Sequence, residues 1–188
     1  VYKPIIKTIF MLLQYKNFTI RDWQPNDRSL AAEVIRQVLT EYGLPWQPDL
    51  ADQDVLNIES YYQQTGGVFW VVTESDHDQN NHQNKIVGTA AYYPIDRQEQ
   101  LTDRSVEIRK MYLLPAVRGK GLGKFLLTAL EKHIIDAGFN TIWIETASIL
   151  KEAVILYEKN GYQPTSGVET ARCDRIYVKK LSNENYVL

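Results

Sequence analysis

The chain has 188 residues, 44% hydrophobic, 11% aromatic and 23% charged, an ordinary globular balance that excludes a predominantly disordered chain and favours one domain over two. Lysine and arginine number 21 against 23 aspartate and glutamate, a formal charge of −2, so there is no general electrostatic footprint for nucleic acid. The single cysteine, Cys173, excludes an intrachain disulfide framework and a cysteine-rich zinc site, and fits a reducing, cytoplasmic setting.

The apolar run Ile9 to Leu13 is too short to span a bilayer. Lysines at 3, 7 and 16 bracket it and no small-residue cleavage pattern follows, so neither a membrane anchor nor a secretory leader is expected. Residues 1–17 are read as an N-terminal extension, with Met11 an alternative start, and 18–188 as a single domain. Phe18 to Arg21 alternates like a short strand, and Pro25-Asn26-Asp27 supplies helix-start chemistry. From Ser29 to Tyr42 the apolar residues Leu30, Val34, Ile35, Val38 and Leu39 recur at helical spacing until Gly43 stops them. A loop over Leu44 to Pro48 leads to a second, more polar helix expected over Leu50 to Gln64. Val68 to Val72 is a β-rich run suited to a buried strand, and Ile86 to Tyr93 is its antiparallel return. The polar loop between them carries Asp76, His77, Asp78 and His82. No helix or strand fixes their spacing, so a solvated hairpin tip is expected there, and no metal.

Residues 106–162 read as strand, glycine-rich loop, helix, strand, helix. Val106 to Leu113 is followed by Leu114-Pro115-Ala116-Val117-Arg118-Gly119-Lys120-Gly121-Leu122-Gly123-Lys124, and the helix begins inside the glycines. Glycines let a phosphate approach the backbone, the unpaired N–H groups of a helix start favour an anion, and Arg118 and Lys120 add positive charge. A Walker loop is excluded, because its first glycine position holds Arg118 and Phe125 follows Lys124. The dinucleotide pattern G-x-G-x-x-G fails at its third glycine, meeting Lys124 or Leu126. The spacing that fits is Arg-x-x-Gly-x-Gly, met by Arg118, Gly121 and Gly123.

Together with Thr141 to Thr146 and Leu156-Tyr157-Glu158-Lys159-Asn160-Gly161-Tyr162, this loop resembles the GNAT N-acetyltransferase superfamily. The resemblance implies a mixed α/β fold: a central, mostly antiparallel twisted sheet of six to seven strands, splayed in the middle and flanked by about four helices. It implies acetyl-CoA as co-substrate, its pyrophosphate on Arg118, Gly119, Lys120, Gly121, Leu122, Gly123 and Lys124, and its pantetheine arm along Met111, Tyr112 and Leu113. Backbone N–H groups near those three residues would polarise the thioester carbonyl. Tyr157 matches the general acid; packing on a helix face is its plainer reading. Glu107 is the candidate base, against a strand carboxylate paired with Arg109 or Lys110. Leu150 stands where relatives often carry an Asn, so backbone near Ala147 or Ser148 is expected to serve the pantetheine. Cys173 reads as a half-buried strand cysteine and His133 as a core or boundary histidine.

The acceptor is expected to be a small-molecule amine, in a site drawn from Tyr42 to Pro48 with Trp46, Gln63 to Gly67, Tyr92, Tyr93 and Glu107. Aromatics with one carboxylate suit a protonated amine, while Arg109 and Lys110 suit an acceptor's carboxylate; the sequence does not choose between them. A non-catalytic acyl-CoA-binding or sensing module on the same fold is the alternative, and an edge-strand homodimer is compatible with either.

Overall fold

The computed structural model describes residues 11–74, 85–97 and 103–181. The polar loop with Asp76, His77, Asp78 and His82 lies outside them. Eight strands form one sheet: β1 (Leu12–Tyr15), β2 (Phe18–Asp22), β3 (Val68–Glu74), β4 (Lys85–Ile95), β5 (Ser105–Leu113), β6 (Thr141–Thr146), β7 (Gln163–Thr165) and β8 (Arg175–Lys180), in the order β1-β2-β3-β4-β5-β6-β8-β7. Every neighbouring pair is antiparallel except β5 and β6. The count exceeds the expected six to seven because both edges carry a short extra strand. One of these, β1, lies in the stretch assigned to an N-terminal extension: Leu12 to Tyr15 pair with Arg21 to Phe18.

Side chains alternate across each strand, and the sheet buries a layer on each face. Trp70 and Val72 of β3, with Val106 and Ile108 of β5, pack against α3 (Leu122–Asp136) and Tyr157 of α4 (Lys151–Lys159). Phe69 and Val71 face the other way, against Ala31, Ile35 and Leu39 of α1 (Arg28–Glu41) and against Val55 and Tyr62. The single helix expected over Leu50 to Gln64 is instead a one-turn α2 (Gln53–Leu56) and a π-turn at Glu59–Gln63. Asn57, at φ −131° and ψ 46°, breaks it, and the break lets Asp54 and Tyr62 both turn inward, where the Tyr62 hydroxyl donates to Asp54.

No helix among the described residues is long and apolar enough to cross a membrane.

Candidate active site

The parallel seam between β5 and β6 is only three residue pairs long: Ser105 with Thr141, Val106 with Ile142 and Glu107 with Trp143. Beyond Glu107 the strands part. The side of β5 that faces β6 therefore has no strand partner from Ile108 onward, and its backbone groups on that side border a cleft of about 440 Å³. The cleft runs between β5 and β6, from the start of α3 at one end to Glu107 at the other.

At the α3 end, Gly121 is the helix N-cap at φ +85°, and no side chain caps the helix. The first N–H groups of this 15-residue helix thus lack side-chain acceptors, and its positive dipole end borders the cleft. Gly121 is glycine for two reasons: its backbone is left-handed, and a Cβ there would lie 2.5 Å from the Tyr15 hydroxyl. Tyr15 Oη donates to the Lys120 carbonyl at 3.1 Å, Lys16 Nζ donates to the same oxygen at 2.7 Å, and the Tyr15 ring stacks on Phe125. Arg118 crosses the mouth of the cleft. Its Nε donates to the Leu113 carbonyl at 2.8 Å, and its two terminal nitrogens form a fork on Glu41 at 2.7 Å each. Tyr42 completes this latch, accepting from Arg118 at 3.1 Å and donating to Glu152 of α4 at 2.9 Å.

Halfway along, β5 carries a bulge. Ala91 pairs with Arg109 and Thr89 with Tyr112, so Ala90 alone stands opposite Lys110 and Met111. Lys110 takes a left-handed φ of +52°, a conformation that is strained for a residue with a side chain. Thr89 Oγ1 donates to its carbonyl at 2.6 Å. The bulge also places consecutive side chains on one face, since Arg109 and Lys110 both reach Asp54. Facing the bulge, Tyr157 of α4 is 5% exposed, packs beside Tyr162 and Tyr177, and borders the cleft. Burial raises its hydroxyl pKa, and no hydrogen bond contributes to that shift.

The far end is ionic. Four bonds converge on the fully buried Asp52, from Lys110 Nζ at 2.6 Å, Arg172 at 2.5 and 2.7 Å and the Gln47 N–H at 2.9 Å. Burial opposes the charge of Asp52, but the Arg172 and Lys110 contacts outweigh it and hold the carboxyl below the usual range. Glu107 accepts from the Tyr93 hydroxyl at 3.1 Å and lies 3.5 Å from Arg109 Nε. Burial, opposed by Arg109 and reinforced by Glu145, pushes its carboxyl above the usual range. Burial also pushes the Cys173 thiol up to about 11, which disfavours a thiolate.

Glu107, Met111, Tyr112, Leu113, Arg118, Gly119, Gly121, Gly123, Lys124 and Tyr157 therefore border one cleft. Lys120 and Leu122 do not: the Lys120 ammonium lies over the Phe18 ring at 5.8 Å, and Leu122 is buried in the core. Several expected acceptor residues lie elsewhere. Tyr92 faces the α3 layer, where its hydroxyl meets His133 Nδ1 at 3.0 Å, and Trp46 packs on the opposite core. Tyr93 instead contributes through Glu107. Lys110 is locked away by Asp52, Asp54 and the Ala51 carbonyl. Cys173 lies in a turn before β8 rather than in a strand, and borders the cleft. Asp52, Asp54 and Arg172 left no periodic signal; an acid within a polar stretch reads as surface until its partner is seen.

The family description "Acetyltransferase (GNAT) family" matches residues 32–162. The chain belongs to the GNAT acetyltransferase family. Among its GNAT relatives, an Escherichia coli K12 protein called "Uncharacterized N-acetyltransferase YjgM" is 35% identical over 139 residues, which is 73% of this chain and 77% of the relative. A Danio rerio N-acetylaspartate synthetase is 28% identical over 117 residues, 62% of this chain but 37% of the relative. This chain thus spans well under half of that vertebrate protein. A GNAT acetyltransferase from Staphylococcus aureus Mu50 superposes with a TM-score of 0.74 at 24% identity, covering 88% of this chain and 99% of its own. The yncA protein of Salmonella typhimurium, solved with its cofactor acetyl-CoA, gives 0.66 at 20% identity, covering 91% and 98%. At such identities the superpositions establish the GNAT fold.

Proposed function

We propose that this GNAT protein is a cytoplasmic N-acetyltransferase that passes the acetyl group of acetyl-CoA directly to the primary amine of a small molecule or amino acid, in a ternary complex and without a metal. The observation that carries this reading is the cleft itself. It joins an uncapped helix start and Arg118 at one end to Tyr157 midway and Glu107 where β5 and β6 part. The acetyl-CoA named with the Salmonella relative supports the choice of donor.

Arg118, Lys124 and the N–H groups from Gly119 to Gly123 suit a pyrophosphate, and Met111 to Leu113 suit an extended pantetheine arm lying where β6 has withdrawn. Acetyl-CoA supplies an activated thioester. Backbone N–H groups at the bulge stabilise the oxygen as the amine nitrogen attacks the carbonyl carbon. Glu107 takes the proton from the amine, the C–S bond breaks, and the Tyr157 hydroxyl gives its proton to the departing sulfur. The high thiol pKa of Cys173 argues against an acyl-cysteine route.

The direct test is calorimetric titration with acetyl-CoA, CoA and NAD, followed by thiol release over an amine panel. Binding of both CoA species but not NAD, with amine-dependent turnover, is expected. Binding without turnover would point to the sensing module, and no acyl-CoA binding would sink both readings. Arg118→Ala should weaken acetyl-CoA by about 10-fold, the scale of one charge-assisted contact. Glu41→Gln releases the guanidinium from its fork and should tighten binding; equal affinities across the three proteins would remove Arg118 from the site.

Glu107 makes a separate prediction. A base works only when deprotonated, and its pKa here lies above the ordinary carboxylate range. Turnover should therefore fall as pH drops through that raised value, with an acid limb well above pH ~4. Glu107→Gln should lose that limb and about 10- to 100-fold in kcat. A variant that keeps the wild-type profile would return Glu107 to the role of a strand carboxylate.

A further inference from the structure

Three cations reach the far end of the cleft, and two of them are fully committed. Lys110 and Arg172 are closed on Asp52 by bonds of 2.5 to 2.7 Å. Arg109 is different. Its side chain is 19% exposed and borders the cleft, yet its nearest polar neighbours stand off: the Tyr93 hydroxyl at 3.4 Å, Glu107 at 3.5 Å and Asp54 at 3.7 Å. Only the first of these is a hydrogen bond, and Nη2 donates to nothing among the described residues. A guanidinium carries five donors in a planar fork that matches a carboxylate, so this one has capacity that the protein leaves unused. Beside it, Glu107 is on the same face of β5, its Oε1 3.5 Å from Arg109 Nε.

We propose that the acceptor is an α-amino acid, with Arg109 taking its carboxylate and Glu107 facing its amino group. This rests on the acetyl-transfer reading above. The closeness of the two side-chain tips requires the ligand's ammonium and carboxylate to lie on adjoining atoms, which is the α-amino arrangement. A simple alkylamine filling the cleft would exclude water from Nη2 without replacing it, leaving a buried donor unpaired. Lys110 plays no part, because its ammonium is 2% exposed and already closed by two acids and a carbonyl.

The test compares free amino acids of differing side-chain charge with their carboxamides, which keep the amine and the shape but lose the anion. Acetyl-CoA binding is measured by calorimetry on the same samples. In the wild-type protein kcat/KM is expected to favour the acids by about 100-fold, chiefly through KM, the scale on which a site built for a polar group rejects an analogue that lacks it. Arg109→Gln should erase that preference by lowering activity on the acids while changing the carboxamides less than about threefold, and Arg109→Lys should restore part of it. Equal use of acids and carboxamides by the wild-type protein would overturn the proposal while leaving acetyl transfer intact, and needs no variant to read. Equal losses on both series in Arg109→Gln would make Arg109 a structural brace and overturn it as well. No turnover of either series by acetyl-CoA-bound protein would overturn this proposal together with the transfer reading.

Discussion

Replacing Tyr157 with Phe is expected to lower kcat by about 100-fold or more while leaving acetyl-CoA affinity within about twofold of wild type. The argument starts from packing. Tyr157 is buried against Tyr162 and Tyr177, so Phe keeps the ring and its contacts and removes only the oxygen. Burial keeps the hydroxyl protonated far above neutral pH, which is the state a proton donor needs as the thiolate leaves. About 100-fold corresponds to about 2.7 kcal/mol of barrier. Single-turnover thiol release at saturating acetyl-CoA reads the effect directly. A Phe variant that turns over at the wild-type rate would assign Tyr157 to the core alone.

The second large effect is on stability. Asp52→Ala should lower the free energy of unfolding by about 3–5 kcal/mol, because it strands two buried cations rather than deleting a pair. Asp52 joins the segment before α2 to Lys110 on β5 and to Arg172 in the connection before β8, so three stretches distant in sequence lose their common anchor. Its pKa is depressed in the folded protein. The stabilisation is therefore present above the ordinary carboxylate value of about 4 and fades as pH falls through the folded value. Urea unfolding at pH 7 should separate the variant clearly from wild type, and the gap should narrow near pH 3. A midpoint unchanged at pH 7 would mean that Lys110 and Arg172 find other partners.

How much of this was legible beforehand differs by element. The glycine loop, α1, α3, the β3–β4 hairpin and the parting of β5 from β6 follow from local residue pattern or from the resemblance it triggers, and the Arg118-x-x-Gly121-x-Gly123 spacing located the anion end of the cleft. What local pattern does not carry is long-range pairing. Lys110 reads as one more polar strand residue, yet it is the left-handed member of a bulge held by Asp52 and Asp54 more than fifty residues earlier. The break at Asn57 likewise follows from inward-turned acids rather than from helix propensity, which favoured continuity from Leu50 to Gln64. Arg118 and Glu41 illustrate the same point, since an arginine assigned by motif to an anion is held by a glutamate from α1.

The hairpin of β1 and β2 bears on where this protein can be cut. The family match begins at residue 32, inside α1, and a fragment trimmed to that boundary would lack both strands. It would expose the edge of β3, a run of Phe69, Trp70, Val71 and Val72, as an open, apolar template for strand addition by other chains. It would also remove Tyr15 and Lys16 from the Lys120 carbonyl. Fragments, fusions and circular permutants should therefore keep residues 11–22 attached, or they will trade a folded enzyme for an aggregate with an unbraced glycine loop.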